Sequence, residues 1–290
     1  MLGVIVTYNP ELKSLISDLI EPLKKHGIKI LVIDNSSKEI FDLSRIVDYF
    51  VRFEKNYGLG KAYNYAMKMA LSLHEDWLLL LDQDSKVIDI TEMLTILKHI
   101  PKDTCCISIN KSHSSIIKML NSQFFLGTGT VNSGLIVRVD SKLHWNEDLF
   151  VDQTDVEFIV RNVIKLKLGN LLIYHKDLIQ HRIGEGEREI RRFLSKIIFK
   201  IIYILLRKKM KKGRYTIPLY KNYIRYYLIL RNTVYIMARY LVIRELIYSL
   251  FFSFIGLYEE KKYYMIIRAL IVGLMGKLKE DNRKIFAIKP

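Results

Sequence analysis

Trp77-Leu78-Leu79-Leu80-Leu81 runs directly into Asp82-Gln83-Asp84-Ser85, and the reading of this stretch decides the fold. A short apolar run closed by polar residues fits a buried strand. A strand that ends here delivers two carboxylates, two positions apart, at the C-terminal edge of its sheet, where open α/β sheets bind ligands. Two hard oxygen donors within reach of one another suit Mg²⁺ or Mn²⁺ carrying a diphosphate. An isolated acidic pair of this spacing is also ordinary turn chemistry, so the rest of the chain has to decide between the two.

The flanking sequence keeps one rhythm. Val4–Thr7 and Ile28–Ile33 read as strands on either side of an amphipathic helix at Glu11–His26. Val47–Phe53 supplies a third strand, followed by a loop at Glu54–Gly60 and a helix at Lys61–His74. Beyond Ser85 the pattern predicts a helix at Thr91–His99, a strand near Cys105–Asn110, an irregular segment over 111–130, and a turn then strand at Asn132–Arg138. A loop running into a helix at Glu147–Leu166 and a strand at Gly169–His175 complete the series. Strands separated by helices of this length indicate βαβ units and a mostly parallel sheet, hence an α/β fold.

Charge divides the 290 residues unevenly. Residues 1–181 hold 21 Lys+Arg against 22 Asp+Glu, whereas residues 182–290 hold 25 against 8, so the net charge of +16 belongs to the last third. Such an excess implies an anionic partner. The same third is apolar, with the runs Phe193–Leu206, Ile247–Tyr258 and Tyr264–Met275, and a basic cluster at 207–212. No charge-free run reaches the ~20 residues of a spanning helix. Apolar helical faces bearing Tyr and Phe, flanked by Lys and Arg, fit an anionic membrane surface. Buried helices of a subdomain, or a homo-oligomer interface, are the open alternatives. Nucleic acid is not expected, because no recognised binding motif is present and the apolar content is too high. Cys105 and Cys106 are adjacent, poor disulfide partners that fit a reducing compartment. With no signal peptide evident, the sequence reads as cytoplasmic and peripheral at the inner face of the cell membrane. The expected division is a catalytic domain over 1–190 and a membrane-associating helical region over 191–290.

Polar clusters close four of the segments above: Thr7-Tyr8-Asn9-Pro10, Asp34-Asn35-Ser36-Ser37, Asn56-Tyr57-Gly58-Leu59-Gly60 and Asp82-Gln83-Asp84-Ser85. In a parallel sheet these ends share one rim. Taken singly, each is common turn or cap chemistry.

In order along the chain, V-T-Y-N-P, V-I-D-N-S-S, N-Y-G-L-G-K-A-Y-N, L-D-Q-D-S, N-S-G-L and F-V-D-Q-T-D-V-E-F-x-V-R resemble the signatures of family-2 inverting glycosyltransferases. With H-R-I-G and the later Tyr226-Tyr227-Leu228-Ile229-Leu230-Arg231-Asn232, the set is most similar to the bacterial rhamnosyltransferase branch, over roughly residues 3–232. The resemblance implies a GT-A fold, a nucleotide-sugar donor (dTDP-rhamnose, or a UDP-sugar as the rival) and a divalent cation, Mg²⁺ or Mn²⁺. It also implies a lipid-linked saccharide acceptor in bacterial surface polysaccharide synthesis. Carried over position by position, Thr7, Tyr8, Asn9, Asp34, Asn56, Gly58, Asn64, Asp82 and Gln83 are expected on the donor side. Asp84, His181 and Asp82 are expected around the metal, and Asp155 as the catalytic base. Thr154 stands where similar chains often have a hydrophobic residue, and the Tyr-Tyr to Arg-Asn spacing is one residue longer than usual.

The chemistry asks for such a base. Inverting displacement at an anomeric carbon needs a carboxylate opposite the leaving diphosphate, to take the acceptor hydroxyl's proton as its oxygen attacks. The cation supplies Lewis-acid neutralisation of the departing diphosphate. Asp152, Asp155 and Glu157 cannot all converge from one helix start, so at least one is expected to cap the helix or complement its dipole, with Asp152 the main rival to Asp155. Arg231 is either a phosphate contact or a snorkelling or salt-bridged helix residue.

Overall fold

A computed structural model of the chain describes residues 1–37, 43–181, 187–193, 195–197, 200, 216–220, 222–242 and 246–287. The chain divides into two compact units, 1–181 and 182–290.

The first unit is built from β1 (Leu2–Thr7), β2 (Lys29–Asp34), β3 (Tyr49–Arg52), β4 (Trp77–Asp82), β5 (Lys86–Val87), β6 (Thr104–Ser108), β7 (Ser115–Met119), β8 (Phe124–Gly129), β9 (Leu135–Arg138), β10 (Asn170–Tyr174) and β11 (Ile179–Gln180). Nine of these make one sheet in the order β3-β2-β1-β4-β9-β6-β10-β8-β7. All but β8 and β9 run in one direction, so the sheet is mixed but mostly parallel. The central strands are apolar on both faces. Ile5, Ile30, Val32, Leu79 and Leu81 enter one apolar layer, while Val4, Leu31, Ile33, Leu78 and Leu80 enter the other. Alternation across the pleat with both faces buried is why these strands read as unbroken apolar runs. Leu15, Leu19 and Leu23 of the helical stretch 12–25 cover the first layer. That stretch comprises α1 (Leu12–Ser14), a π segment at Leu15–Ile20 and α2 (Glu21–Lys25), and Glu11 starts it by accepting from the Lys13 and Ser14 backbone N–H groups. Ala62, Tyr63, Ala66 and Ala70 of α3 (Gly58–Ser72) cover the second. The α/β expectation, with helices flanking the sheet as in a GT-A domain, is met.

Two expectations need correction. The irregular segment over 111–130 contains the antiparallel pair β7–β8. Every residue of β7 is exposed, so this edge strand lacks the buried alternation from which strands are read. The helix expected from Lys61 starts at Gly58. Glycines at 58 and 60 read as loop, but they let another backbone pass: an added Cβ would stand 2.3 Å from the Phe150 carbonyl oxygen at Gly58 and 2.7 Å from that of Asn146 at Gly60.

The second unit contains helices Tyr223–Tyr240, Ile247–Glu259, Tyr263–Met275 and Leu278–Ala287, and pairs Glu187–Glu189 with Thr216–Pro218. The segment 201–215, with the basic cluster 207–212 and much of the run from Phe193, lies outside the described residues, as does the H-R-I-G motif after His181. No helix among the described residues is long and apolar enough to cross a membrane.

Arg231 is fully buried in this unit, which answers the question left open about it. Its guanidinium donates to Asp281 Oδ2 at 2.9 Å, to Asn282 Oδ1 at 2.7 Å and to Asn232 Oδ1, while Tyr227 and Arg268 also donate to Asp281. A phosphate contact is thereby corrected to a structural ion pair: the donors face inward and are taken. Burial works to raise the Asp281 carboxyl, but Tyr227, Arg231 and Arg268 together hold it below its ordinary value. Removing one member of such a buried network leaves an uncompensated charge. Arg231→Ala is therefore expected to cost about 3–5 kcal/mol in chemical denaturation of the full chain.

Candidate active site

The register of the central strands assembles one polar rim. Thr7 pairs with Asp34 across β1–β2, and Val6 pairs with Asp82 across β1–β4, so all three strands deliver their last residues side by side. At this rim the Thr7 hydroxyl donates to Asp34 Oδ1 at 2.9 Å, and the Ser36 N–H and hydroxyl donate to the same oxygen. Asp34 is fully buried, and among the described residues its Oδ2 has no hydrogen-bond partner; Arg52 Nε stands 3.9 Å from it. A buried carboxylate with one oxygen tied down and the other free is an acceptor held ready for a ligand's N–H or O–H.

The other expected donor-side residues divide between lining and bracing. Gln83 exchanges two hydrogen bonds with the Tyr8 backbone, at 2.7 and 3.2 Å, joining the ends of β1 and β4 and leaving the Tyr8 ring exposed. Asn9, at φ 47°, donates its backbone N–H to Ser36 Oγ. Asn56 accepts from the Gly58 N–H at 2.9 Å. Asn64 is used as a brace: its amide donates to Trp145 O and Glu147 Oε1 and accepts from the Trp145 N–H, fixing the loop after β9. Asn35, which the sequence reading did not single out, does similar work. It is buried, its amide donates to Gly58 O, and it accepts from the Tyr57 N–H.

His181 reaches the acidic pair through a ribbon too short to be read from sequence. β5 pairs antiparallel with β11, Val87 opposite Ile179 and Lys86 opposite Gln180, so the next step along the ladder sets His181 beside Ser85. Ser85 Oγ lies 3.4 Å from His181 Nδ1 and also pairs with Ser133. Nε2 of His181 is 3.5 Å from Asp82 Oδ2, and Nδ1 is 3.7 Å from Asp84 Oδ1. The side chains of Asp82, Asp84 and His181 are 30%, 63% and 11% exposed, which leaves the group open on the Asp84 side. Each residue offers a ligand atom, and the three atoms lie within 4.8 Å of one another. Ligands at ~2.1 Å from a shared octahedral ion stand about 3–4.3 Å apart, so the group fits a hard divalent cation with modest closure. His113 packs edge-on against His181 at 6.1 Å, with its Nδ1 at 2.8 Å from Asn110 Oδ1.

Asp155 sits in the first turn of α4 (Thr154–Ile159), preceded by a strained approach. Phe150, Asp152 and Gln153 all have positive φ, at 68°, 57° and 63°. Phe150, with ψ −71°, sits in a tight turn closed by a Val151 N–H to Leu149 O bond, a conformation rare for L-residues. The Phe150 carbonyl in turn accepts from the Leu59 N–H at 2.7 Å, so the start of α3 holds the turn in place. Thr154 is explained by its partner: its hydroxyl accepts from Asn132 at 3.1 Å.

The structure separates the three acids of this segment. Glu157 is buried and ion-paired with Arg161 at 3.1 Å, so it is committed to the helix. None of the three is the N-cap of α4, which is Gln153, but Asp155 and Glu157 stand in its first turn, where the helix dipole favours acids. Burial pushes the Asp155 carboxyl up to about 7. The Val156 N–H at 2.8 Å opposes the rise, and the Asp82 and Asp152 carboxylates add to it. Asp82 and Asp155, distant in sequence, therefore share one electrostatic neighbourhood. Tyr63 belongs to it as well: its phenol is raised well above its ordinary value, chiefly by burial and further by Asp82 and Asp155, and among the described residues its hydroxyl has no hydrogen-bond partner. This buried phenol was missed because Tyr63 reads as a core aromatic. It does pack in the core, its ring tilted against Trp145 at 5.3 Å.

The model of a family described as "Glycosyl transferase family 2" matches residues 4–160. A dTDP-rhamnosyl transferase, RfbF, of Shigella flexneri is 26% identical over 215 residues, covering 65% of this chain and 71% of that protein. Among solved structures, GalNAc-T7 with UDP, GalNAc and Mn²⁺ superposes with a TM-score of 0.47 at 14% identity, over 60% of this chain and 42% of that one. Residues 1–349 of S. aureus TarS do so with a TM-score of 0.45 at 13% identity, over 96% and 82%.

Proposed function

Since the chain belongs to glycosyl transferase family 2, we propose that it transfers a sugar, with inversion, from a nucleoside-diphosphate donor to a lipid-linked saccharide in bacterial surface polysaccharide synthesis. L-Rhamnose from dTDP-L-rhamnose is the preferred donor, a choice that rests on the similarity to the Shigella flexneri enzyme. The observation that carries the reading is the shared neighbourhood of Asp82 and Asp155, with the Asp155 carboxyl at about 7. A base whose pKa lies near working pH combines a useful deprotonated fraction with a real affinity for the proton.

In this reading Asp155 takes the proton of the acceptor hydroxyl as that oxygen attacks the anomeric carbon. The bond from that carbon to the diphosphate oxygen breaks, and the nucleoside diphosphate leaves on the opposite face. Thr7, Tyr8, Asn9, Asn56 and Gly58 shape the nucleotide pocket, and Asp34 Oδ2 accepts from the base or ribose. Asp82, Asp84 and His181 would hold a divalent cation, Mg²⁺ or Mn²⁺, which supplies Lewis-acid neutralisation of the diphosphate. Asp152 shares the approach to Asp155 and is a secondary contributor. Residues 1–190 do the donor and catalytic work, and residues 191–290 keep the enzyme peripheral at an anionic inner membrane face, where a lipid-linked acceptor resides.

A donor screen tests this directly, with nucleotide release measured for dTDP-rhamnose beside UDP-hexoses and UDP-galactofuranose. Preference for a UDP-sugar overturns the rhamnosyl choice. Asp34→Asn replaces the free acceptor or its partner-bound twin with a donor, and hydrogen bonds to charged groups contribute about 1.5–3 kcal/mol. Calorimetry is expected to show donor affinity about 10- to 150-fold weaker; unchanged affinity removes Asp34 from the donor site.

A further inference from the structure

Helix Tyr263–Met275 shows water a face with no charged side chain of its own on it, and Tyr263 at its start accepts from Arg192. Its exposed residues are Tyr263, Tyr264, Ile267, Leu270, Ile271, Leu274 and Met275, recurring every three to four positions along one side. Ile267 and Leu274 are 61% and 67% exposed. The opposite side is fixed: Met265, Ile266, Ala269 and Gly273 are buried, and Arg268, the charged residue of the helix, is turned to Asp281 at 2.6 Å. The helix therefore cannot roll its apolar stripe inward without breaking that ion pair.

Charge brackets the stripe at both ends. Lys261 and Lys262 precede it, and Lys277, Lys279, Arg283 and Lys284 follow; of the acids on these flanks, Glu259 and Asp281 are buried, leaving Glu260 and Glu280. An apolar stripe with tyrosines at one end and cations beyond both ends is the pattern of a helix lying in a lipid headgroup layer. The basic excess of the whole unit, 25 Lys+Arg against 8 Asp+Glu, favours anionic lipid over a second, equally cationic copy of this chain.

We propose that helix Tyr263–Met275 is the membrane-docking element of this protein, inserting Tyr264, Ile267, Ile271 and Leu274 among the acyl chains of an anionic leaflet while the flanking lysines engage its headgroups. This deepens the membrane part of the reading above without using the transfer reaction.

Flotation of the full chain with vesicles of phosphatidylcholine alone, or with phosphatidylglycerol added, tests it. The wild type is expected to partition at least about tenfold more strongly onto the anionic vesicles at low salt, with the difference shrinking as salt rises. Ile267→Glu with Leu274→Glu alters exposed positions and is expected to lose at least about tenfold in partitioning, with an unchanged circular dichroism spectrum and unchanged donor binding. Lys277→Glu with Lys279→Glu is expected to remove most of the salt-sensitive part. Wild-type protein that ignores both vesicle types, or an apolar double variant that floats like wild type, overturns the proposal. So does a wild-type dimer in sedimentation that the double variant breaks without any vesicle binding, since the face then belongs to a second copy. Lost flotation with sugar transfer intact sinks the docking face alone; flotation without transfer sinks the enzymatic reading alone.

Discussion

Asp155→Asn is expected to reduce sugar transfer by roughly 10²–10⁴-fold, the usual contribution of a positioned general base, with donor affinity unchanged within about twofold. The amide keeps the shape and can still accept from the Val156 N–H, but it cannot hold the acceptor's proton. In the wild type, kcat/KM is expected to rise with pH through about 7, as burial and the Asp82 and Asp152 carboxylates place the titration there. The variant's residual rate is expected to lose that limb. Undiminished turnover in the variant would hand the role to Asp152.

The same substitution carries a stability signature of definite sign. An aspartate at 3.8 in the unfolded chain and about 7 in the folded one binds more protons when folded across that interval. Stability contributed by the protonated form is complete below about 4 and is lost as pH rises through 7. At ~1.4 kcal/mol per pKa unit the loss is at most about 4 kcal/mol, reduced by solvent reaching a half-buried residue. The neutral amide escapes it. Asp155→Asn is thus expected to melt a few degrees above wild type at pH 8 and level with it at pH 4, whereas a merely structural aspartate would give an unstable variant at both. Activity lost together with stability gained identifies a group kept in place for chemistry.

How much of this was legible in sequence follows from burial. β1, β2 and β4 are apolar on both faces and could be read at once, together with the rim that ends them in Thr7, Asp34 and Asp82. β7 could not, because an edge strand exposed on both faces has no pattern to display. The onset of α3 was hidden by glycines whose purpose, passage of the 146–150 backbone, exists only in three dimensions. His181 entered through family resemblance, not spacing, since a two-residue ribbon brings it to Ser85 from 96 positions away. Among Asp152, Asp155 and Glu157, family resemblance had already pointed to Asp155; spacing could not show that Arg161 pairs with Glu157 or that burial raises the Asp155 carboxyl, because both depend on packing. Arg231 had two equal readings until Asp281, 50 positions on, was seen to take its donors.

Asp84→Ala is expected to weaken Mn²⁺ binding at least tenfold and to lower transfer by about 10²–10³-fold, the scale of several kcal/mol that a Lewis acid contributes to a departing diphosphate. Asp84 is the right residue to remove because it is the most exposed of the three and its loss leaves the rim intact. Asp82 is continuous with β4, whereas Asp84 lies past the strand end, its Oδ1 3.7 Å from His181 Nδ1. The carboxylate therefore does little for the fold, and its cluster of like charges, with Asp82 nearby, is a cost in the absence of a counter-ion. Thermal stability without added metal is expected to stay level or rise slightly in the variant. Added Mn²⁺ is expected to raise the wild-type melting temperature and to leave Asp84→Ala nearly unmoved, because an ion stabilises in proportion to its binding of the folded state. Chelation of the wild type is expected to abolish transfer reversibly, with Mn²⁺ or Mg²⁺ restoring it. Full activity in the presence of excess chelator would show that Asp82, Asp84 and His181 meet for another purpose, with the diphosphate's charge met by cationic side chains instead.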